Sequence, residues 1–427
     1  KIDHLIFGNF SATYGQGLVF SSGDFNRSRF TGYKFNKRVS GISPDISNSE
    51  ELTLNGIALQ LSNRKLRFST FFSEDKRDAI INEDGSFTSL IFMRPRLGLG
   101  EHDNQEDAYG NMLDALTERT LGLNFRFSIN EGTNIGFTYY GSLYDRLLNP
   151  QIIKTVTGGD GDTNPDLDNS DYDNYSGDAY YLNYPASNSA DSELNAMYSD
   201  ASGSNYIKHS HKWSWNEAKS SRMVWGIDFN TVIENIAFQF EYAMMDKKKE
   251  YMFDPNKGHP VALIINGFWK LSDNFDLLIL HRNYDLEFDN PYQKSFSNYR
   301  RYKSSIVEDS YWLSDPIYMH IHSSTPQPQS EKGTYIESRY QFHENFVLGL
   351  QWDAWLRKAD NAKYYRMVSK LEWRPLFNYR IYFRYKLQSR DPYTISHHSY
   401  LIRELLLRVK SKLFFLKTVN TRYRTLL

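Results

Sequence analysis

The sequence predicts an all-β fold, a transmembrane antiparallel up-and-down β-barrel of about sixteen or more strands. Three observations predict it: side-chain alternation with a period of two, repeated hairpin patterns, and many aromatic residues. Residues 119–143 show the alternation best, because Phe125 and Phe127 fall on an apolar face and Asn124 and Arg126 on a polar face. Successive side chains of a strand leave opposite faces, so this period indicates strands, and an apolar face ending in aromatics is typical of strands that cross a membrane.

The composition fits a barrel and excludes several other classes of protein. Aromatic residues make up 16% of the 427 residues, and the 31 Tyr and 28 Phe suit the aromatic belts at two membrane interfaces. No run of about 18 apolar residues occurs, which excludes a transmembrane helix. The net charge of −1 gives no electrostatic indication of nucleic-acid binding. The absence of cysteine removes disulfides, thiolate metal sites and cysteine nucleophiles.

Seven segments have the pattern of a hairpin, in which two alternating strands flank a short turn. The predicted pairs are 54–61 with 65–72, 119–129 with 134–143, 223–231 with 236–244, 261–271 with 275–284, 335–342 with 346–356, 363–373 with 379–388, and 400–409 with 413–423. About two more strands are expected before residue 50. Most of these strands are longer than the five or six residues usual in a β-sandwich, the soluble alternative.

The hairpin order predicts one barrel domain over residues 1–427, and we expect the chain to be incomplete at both ends. Longer loops are predicted at about residues 73–118, 145–221 and 285–332. Outer-membrane barrels place short turns on the periplasmic side and long loops on the extracellular side. The turn at 130–133 is therefore expected in the periplasm.

The polar faces of the later strands carry charged residues that we expect to point into the lumen. These residues are Arg339, Arg366, Arg380, Arg384, Lys386, Arg408, Glu337 and Asp353. One interpretation is a basic wall that attracts anions in a pore. The other is a lattice of ion pairs that fills and stiffens the barrel. Acidic and basic residues are about equally frequent on this face, which favours the lattice.

A possible metal site is predicted in the acidic stretch 158–178, and the best calcium candidates are Asp160, Asp162, Asp166 and Asp168. Alternation of Asp with Gly or Asn supplies the oxygen ligands that Ca²⁺ prefers. The alternative is a solvated acidic loop, since the glutamate that closes an EF-hand loop is missing. His209 and His211 would share a strand face, but no third metal ligand is evident. No other cofactor and no catalytic residues are expected, because no nucleophile elbow, P-loop or dinucleotide motif occurs.

Several motifs occur in order along the chain. The first is ATYGQGLVFSSG at residues 12–23, followed by Glu51 and LNGIALQL at 54–61. Next comes FFSEDKRDA at 71–79. The last is LHRNYDLEFDNPYQKSFS at 280–297, with SEKGTYIESRYQF after it.

Together these motifs resemble those of large Bacteroidota-type outer-membrane proteins with N-terminal helix-hairpin-helix repeats. The matching family patterns are F-G-Q-G-L, E…G-A, S-x-K-x-x-D-A and R-x-Y…Y-x-x-x-F…N-E-x-G-x-Y. MRPRLGL at residues 93–99 departs from the Gly-x-His-Arg-Thr-like sequence of the family. The resemblance implies a barrel in the outer membrane of a Gram-negative bacterium. It also implies an upstream region that could bind nucleic acid and is not in this sequence.

These observations lead to two functional hypotheses. The first is a conduit, or a scaffold in an envelope transport or secretion complex. The second is a binding and assembly protein without an open pore, which uses its long loops or the upstream region. The expected partners are outer-membrane lipid and other envelope proteins, and an enzyme is not expected.

Overall fold

The structure is a computed structural model. It describes residues 1–22, 41–46, 53–81, 85–91, 114–148, 151–156, 207–212, 219–246, 258–285, 288, 290–296, 331–357, 363–376, 379–389, 401–411 and 419–426. No helix among these residues is long and apolar enough to cross a membrane.

Strands dominate the described part of the chain. Their bounds are β1 Ile2–Thr13, β2 Gly41–Pro44, β3 Leu54–Ser62, β4 Leu66–Ile81, β5 Phe87–Ile91, β6 Leu116–Asn130, β7 Thr133–Leu148, β8 Gln151–Val156, β9 Ile207–Lys212, β10 Lys219–Ile233, β11 Ile236–Met245, β12 Val261–Ser272, β13 Phe275–Tyr284, β14 Glu331–His343, β15 Phe346–Arg357, β16 Lys363–Leu376, β17 Tyr379–Ser389, β18 Leu401–Ser411 and β19 Val419–Leu426.

Fifteen of these strands form one antiparallel up-and-down ladder, which confirms the predicted all-β architecture. The ladder runs through β1, β3, β4, β6 and β7 and then from β10 to β19 in sequence order. β2 and β5 are short side strands on β1 and β4, and β8 and β9 form a separate pair. Within the described residues the sheet is not closed, because the pairings end at β1 and β19 without joining them.

All seven predicted hairpins are present in the ladder. The strand after the last turn is Val419–Leu426, which begins later than the predicted range 413–423. In the β6–β7 hairpin the turn consists of Glu131 and Gly132, and both residues are exposed. The hairpin turns lie at one end of the ladder and the longer connections at the other, because neighbouring strands alternate in direction.

The two faces of the sheet differ as the alternation predicts. Phe125 and Phe127 point outward and are 49% and 44% exposed, whereas Asn124, which directly precedes Phe125, is 1% exposed. Many large hydrophobic side chains on this outward face are likewise exposed, for example Leu350 and Trp352 on β15. The inward face holds the buried polar and aromatic side chains. The molecule therefore exposes apolar side chains and encloses polar ones.

Several strands extend beyond their predicted ends, so the predicted loops 73–118 and 145–221 begin too early and end too late. Strand β5 lies inside the first range, and β8 and β9 lie inside the second. β4 continues to Ile81 and β7 to Leu148, and β10 already starts at Lys219. The sequence at 74–77 is charged and lacks apolar alternation, yet its backbone remains paired with β6. Ion pairs across the ladder support this extension, such as Arg119 Nε to Glu74 Oε2 at 2.9 Å. Polar strand ends of this kind carry no hydrophobic signal.

The ladder curves around a common interior. Gln16, directly after β1, donates a hydrogen bond to Gln239 on β11 at 2.6 Å. Tyr292, after β13, donates one to Glu118 on β6 at 2.6 Å. Strands that are distant in the ladder therefore meet the same inner segments, which requires a curved sheet.

Candidate functional site

The first inner segment, residues 14–22, leaves the wall after β1 and folds into the interior. Leu18, Val19 and Phe20 are completely buried, and Tyr14 is 1% exposed. A tight turn starts the segment, with Gly17 N–H donating to the Tyr14 carbonyl at 3.0 Å. Gly15 has a φ of +53°, and a Cβ at this position would lie 2.7 Å from the Glu241 carboxyl group. Glycine at 15 therefore allows both the turn and the close approach to β11.

Glu241 on β11 holds the first inner segment against the far wall. Its carboxylate accepts the backbone N–H groups of Gln16 and of Val19, the latter at 3.2 Å. The wall has glycine at position 226, where the segment approaches closely. A Cβ at this position would lie 2.6 Å from Val19 Cγ2, which is too close for a side chain. Hydrogen bonds to a charged group are stronger than neutral ones, so Glu241 fixes the position of this segment.

The second inner segment, residues 290–296, packs on the first one. Asn290 Nδ2 donates to the carbonyl groups of Leu18 at 2.6 Å and Val19 at 2.8 Å. Asn290 Oδ1 accepts the Tyr140 hydroxyl of β7 at 2.6 Å. The Lys294 N–H donates to the Gly17 carbonyl at 2.8 Å. One buried asparagine thus ties both inner segments to the wall and satisfies backbone groups that would otherwise be unpaired.

An aromatic cluster fills the space between the inner segments and the wall. The Phe20 ring stacks on Tyr292 with centroids 4.4 Å apart, and it contacts Phe71 at 5.0 Å and Tyr140 at 5.1 Å. Each such pair stabilises the packing by about 0.5–1.5 kcal/mol beyond the burial of area. Phe20 is therefore the centre of the packed interior.

A charged network connects the second inner segment to β4 and β6. Tyr292 donates to Glu118 Oε2 at 2.6 Å, and Arg77 Nε donates to the same oxygen at 3.1 Å. Burial raises the pKa of Tyr292, which lies between strands, well above the usual value for tyrosine. Tyr292 therefore stays protonated and acts as the donor. Arg77 and Glu118 are 2% and 1% exposed, so their charges are compensated by each other rather than by water.

A second buried network closes the far end of the second inner segment. Arg282 on β13 donates to both carboxylate oxygens of Asp353 at 2.9 and 3.2 Å, and it also pairs with Glu331. Its guanidinium lies 5.3 Å from the centre of the Phe296 ring. Asp353 was predicted to face the lumen, whereas the central partner Arg282 was not singled out from the sequence. All three charged groups are at most 1% exposed.

The other predicted lumen residues lie on strands β14 to β18. Glu337 is 4% exposed and accepts hydrogen bonds from Tyr335 at 2.7 Å and Gln351 at 2.8 Å. Arg339, Arg366, Arg384 and Lys386 are half-buried, Arg380 is exposed, and Arg408 lies on β18 with no description of its side chain.

The register places three cations in one row across this part of the wall. Arg339 pairs with Gly349, Gly349 with Lys370, and Lys370 with Arg384. Directly paired residues have Cβ atoms about 4.5–5.5 Å apart and share a face of the sheet. Lys370, which is not among the eight predicted lumen residues, is exposed on this row.

The calcium candidates Asp160, Asp162, Asp166 and Asp168 lie outside the described residues. His209 and His211 lie on β9. Among the residues that the structure describes, no group of three or more His, Cys, Asp or Glu side chains could hold a metal ion.

The inner segments were not predicted as interior structure. The glycines at 15 and 17 allow the backbone to bend, but the contacts that draw this segment inward come from Glu241 and Asn290, which are far away in the chain. One available signal was the run Leu18, Val19 and Phe20 after the kink. Three successive apolar residues cannot all face one side of a strand, so the run favours burial on all sides.

Comparison with protein-family models and with curated protein sequences finds no match. Among solved structures, the FrpB iron transporter from Neisseria meningitidis (F3-3 variant) is similar at 10% identity and a TM-score of 0.30, over 84% of this chain and 51% of that chain. A mutant porin from Rh. blastica is similar at 9% identity and a TM-score of 0.26, over 72% and 86% of the two chains. The P. putida toluene transporter TodX gives 9% identity and a TM-score of 0.24, over 78% and 74%.

The chain spans about half the length of the FrpB transporter. At these TM-scores the likenesses carry no weight for fold or function, which rest on the strand pairings and contacts described above. The resemblance to helix-hairpin-helix outer-membrane proteins stays a prediction.

Proposed function

We propose that this chain is an outer-membrane β-barrel that acts as a conduit whose interior is narrowed by the two inner segments. The outward apolar face and the inward polar face support the membrane setting, since a closed barrel in lipid presents this arrangement. In this proposal lipid covers the residues around Phe125 and Leu350. The short hairpin turns then face the periplasm and the long connections face outward.

The observation that carries the conduit is the unequal filling of the interior. Barrels of about sixteen strands are too wide to be filled by wall side chains alone. The described contacts of the inner segments fall on β4, β6, β7 and β11, and the end of the second segment also contacts Tyr284 on β13 and Tyr335 on β14. Toward the short-turn end of β16 and β17 the inward Lys370 is exposed and Arg384 is half-buried, whereas the inward Tyr364 and Val368 of β16 are buried. We infer that a polar passage runs along this part of the wall.

The packed interior also favours a second candidate, a binding and assembly protein without an open pore. Buried networks such as Arg77, Glu118 and Tyr292 would hold the inner segments permanently in place. The long connections, or an upstream nucleic-acid-binding region, would then contact envelope partners or nucleic acid. Calcium bound by Asp160, Asp162, Asp166 and Asp168 would order one of these connections.

Single-channel recording in planar lipid bilayers separates the two candidates. The conduit predicts discrete current steps for the refolded chain, and larger steps for Phe20→Ala, which loosens the packed interior. Phe125→Ala on the lipid-facing side is the matched control and should conduct like the unmodified chain. If neither the unmodified chain nor Phe20→Ala produces current steps, the conduit hypothesis is wrong and the binding protein is favoured.

A further inference from the structure

The row of three cations on β14, β16 and β17 forms an unusual electrostatic arrangement. Lys370 and Arg384 are directly opposite each other, and like charges in such a pair destabilise a sheet. None of Arg339, Lys370 and Arg384 makes an ion pair or hydrogen bond to another described residue. The Nε atom of Arg384 is buried and has no hydrogen-bond partner there. A row of this kind gains stability when it meets a negative charge from outside the chain.

The acidic groups around the row are already engaged elsewhere. Glu337, diagonal to Lys370, accepts hydrogen bonds from Tyr335 and Gln351. Glu372 accepts a bond from Arg374 at 2.6 Å. Asp353 is held by Arg282 through both of its oxygens. Although Glu337 attracts Lys370 from a distance, none of these carboxylates neutralises the row.

The centre of the row carries no side chain. Gly349 stands between Arg339 and Lys370, and a Cβ at this position would make ordinary van der Waals contacts at 3.8 and 3.9 Å, so a larger side chain would take up the space beyond them. Donors flank this space on both sides, and Arg384 adds a planar guanidinium suited to bidentate contact with an oxyanion. The row lies near the short-turn end of its strands, because β14 ends at His343 and β15 begins at Phe346.

We propose that Arg339, Lys370 and Arg384 form a binding site for an oxyanion, the phosphate or carboxylate group of a solute, on the inner wall around Gly349. The site deepens the proposed conduit and rests on it for its role in transport: it would select anionic solutes at the short-turn mouth. This favours the basic-wall interpretation in this part of the barrel, whereas the ion-pair lattice describes the Arg77 and Arg282 networks.

Isothermal titration calorimetry with inorganic phosphate tests the site on the full chain in non-ionic detergent at low salt. The unmodified chain should bind phosphate, and Lys370→Gln or Arg384→Gln should weaken binding by about tenfold or more, because each removes a charge-assisted contact. Gly349→Leu keeps all charges but fills the space and should cause a similar loss. Lys363→Gln, at the other end of β16, is the charge-matched control and should bind like the unmodified chain.

The result that overturns the site is absence of phosphate binding by the unmodified chain at millimolar concentration, or equal binding by all four variants. Circular dichroism and heat-dependent gel mobility confirm that each variant is folded before titration. Bilayer recording of the same samples separates this result from the conduit. If the bilayer shows no current but phosphate binding still depends on Lys370, the conduit hypothesis is wrong and the anion-binding site is supported.

Discussion

The wall of this barrel has two sides that use charge in opposite ways. On the side of β4, β6 and β7, charged groups such as Arg77 and Glu118 are almost fully buried and compensate each other. On the side of β16 and β17, Lys370 and Arg384 are neighbours of the same charge and remain partly accessible. The buried ion pairs require inner segments that exclude water. The like-charged pair requires water or a ligand to stabilise its charges. Net charge along an inner face therefore does not reveal whether that face is packed or open.

The largest expected effect is on the packed side and follows from removing Arg282. Arg282→Ala leaves Glu331 and Asp353 buried without a cation, which should lower the free energy of unfolding by about 3–5 kcal/mol. Urea unfolding in detergent micelles measures the change. Arg119→Ala removes an exposed ion pair with Glu74 and should cost less than about 1 kcal/mol. Equal losses for the two variants would show that the Arg282 network is not buried.

The next effect concerns the centre of the packed interior. Phe20→Ala removes a ring that contacts Phe71, Tyr140 and Tyr292. The free energy required to detach the first inner segment from the wall should therefore fall by about 3 kcal/mol. The chain contains no cysteine, so Ser21→Cys, buried at 2% exposure, supplies a single thiol.

Labelling of that thiol by a hydrophilic maleimide should accelerate on the order of a hundredfold when Phe20→Ala is added, because local opening controls access. Phe125→Ala, the same change on the outward face, should leave the labelling rate unaltered. A labelling rate that is already fast with Phe20 intact would contradict a packed interior.

Adjacent residues of β15 test which face of the sheet points outward. Leu350→Arg places a charge on the outward apolar surface, and if lipid covers this surface as proposed it should cost about 2 kcal/mol of folding free energy in lipid vesicles. Gln351→Arg, one residue further and inward, should cost less, since Glu337 lies beside it. A larger penalty for Gln351→Arg would reverse the assignment of the two faces.

The smallest effect is expected on the open side. Lys370→Gln relieves like-charge repulsion with Arg384 and should stabilise the folded chain by about 0.5 kcal/mol at low salt. The gain should shrink as salt is added, because exposed charges are screened. Urea unfolding at two salt concentrations measures it, with Lys363→Gln as control. A destabilised Lys370→Gln would indicate that Lys370 is paired after all.

The sequence was sufficient for the ladder and insufficient for the interior. Hairpins such as the one around Glu131 and Gly132 follow from local alternation and a short turn, and the structure has all seven. Polar strand segments such as 74–77 were missed because their pairing depends on backbone hydrogen bonds and carries no hydrophobic period. Glu337 and Asp353 lie on the inward face, as the alternation of side chains along their strands predicts.

The inner segments depend on partners that no local pattern specifies. Gln16 meets Glu241 and Gln239, and Leu18 meets Asn290, at separations of more than 200 residues. The distinction between a packed wall and an open one therefore required the three-dimensional arrangement. The row of Arg339, Lys370 and Arg384 also depends on register across four strands, which alternation alone leaves undefined.

Oxidative cross-linking most directly tests whether the first inner segment occupies one side of the interior. Gln16→Cys with Gln239→Cys replaces two side chains whose polar atoms lie 2.6 Å apart, in a chain that has no other cysteine. We predict nearly complete cross-linking of this pair, seen as a shift in gel mobility, and little for Gln16→Cys with Lys370→Cys on the basic wall. Efficient cross-linking of position 16 to position 370, or none to position 239, would contradict an interior packed on one side and open on the other.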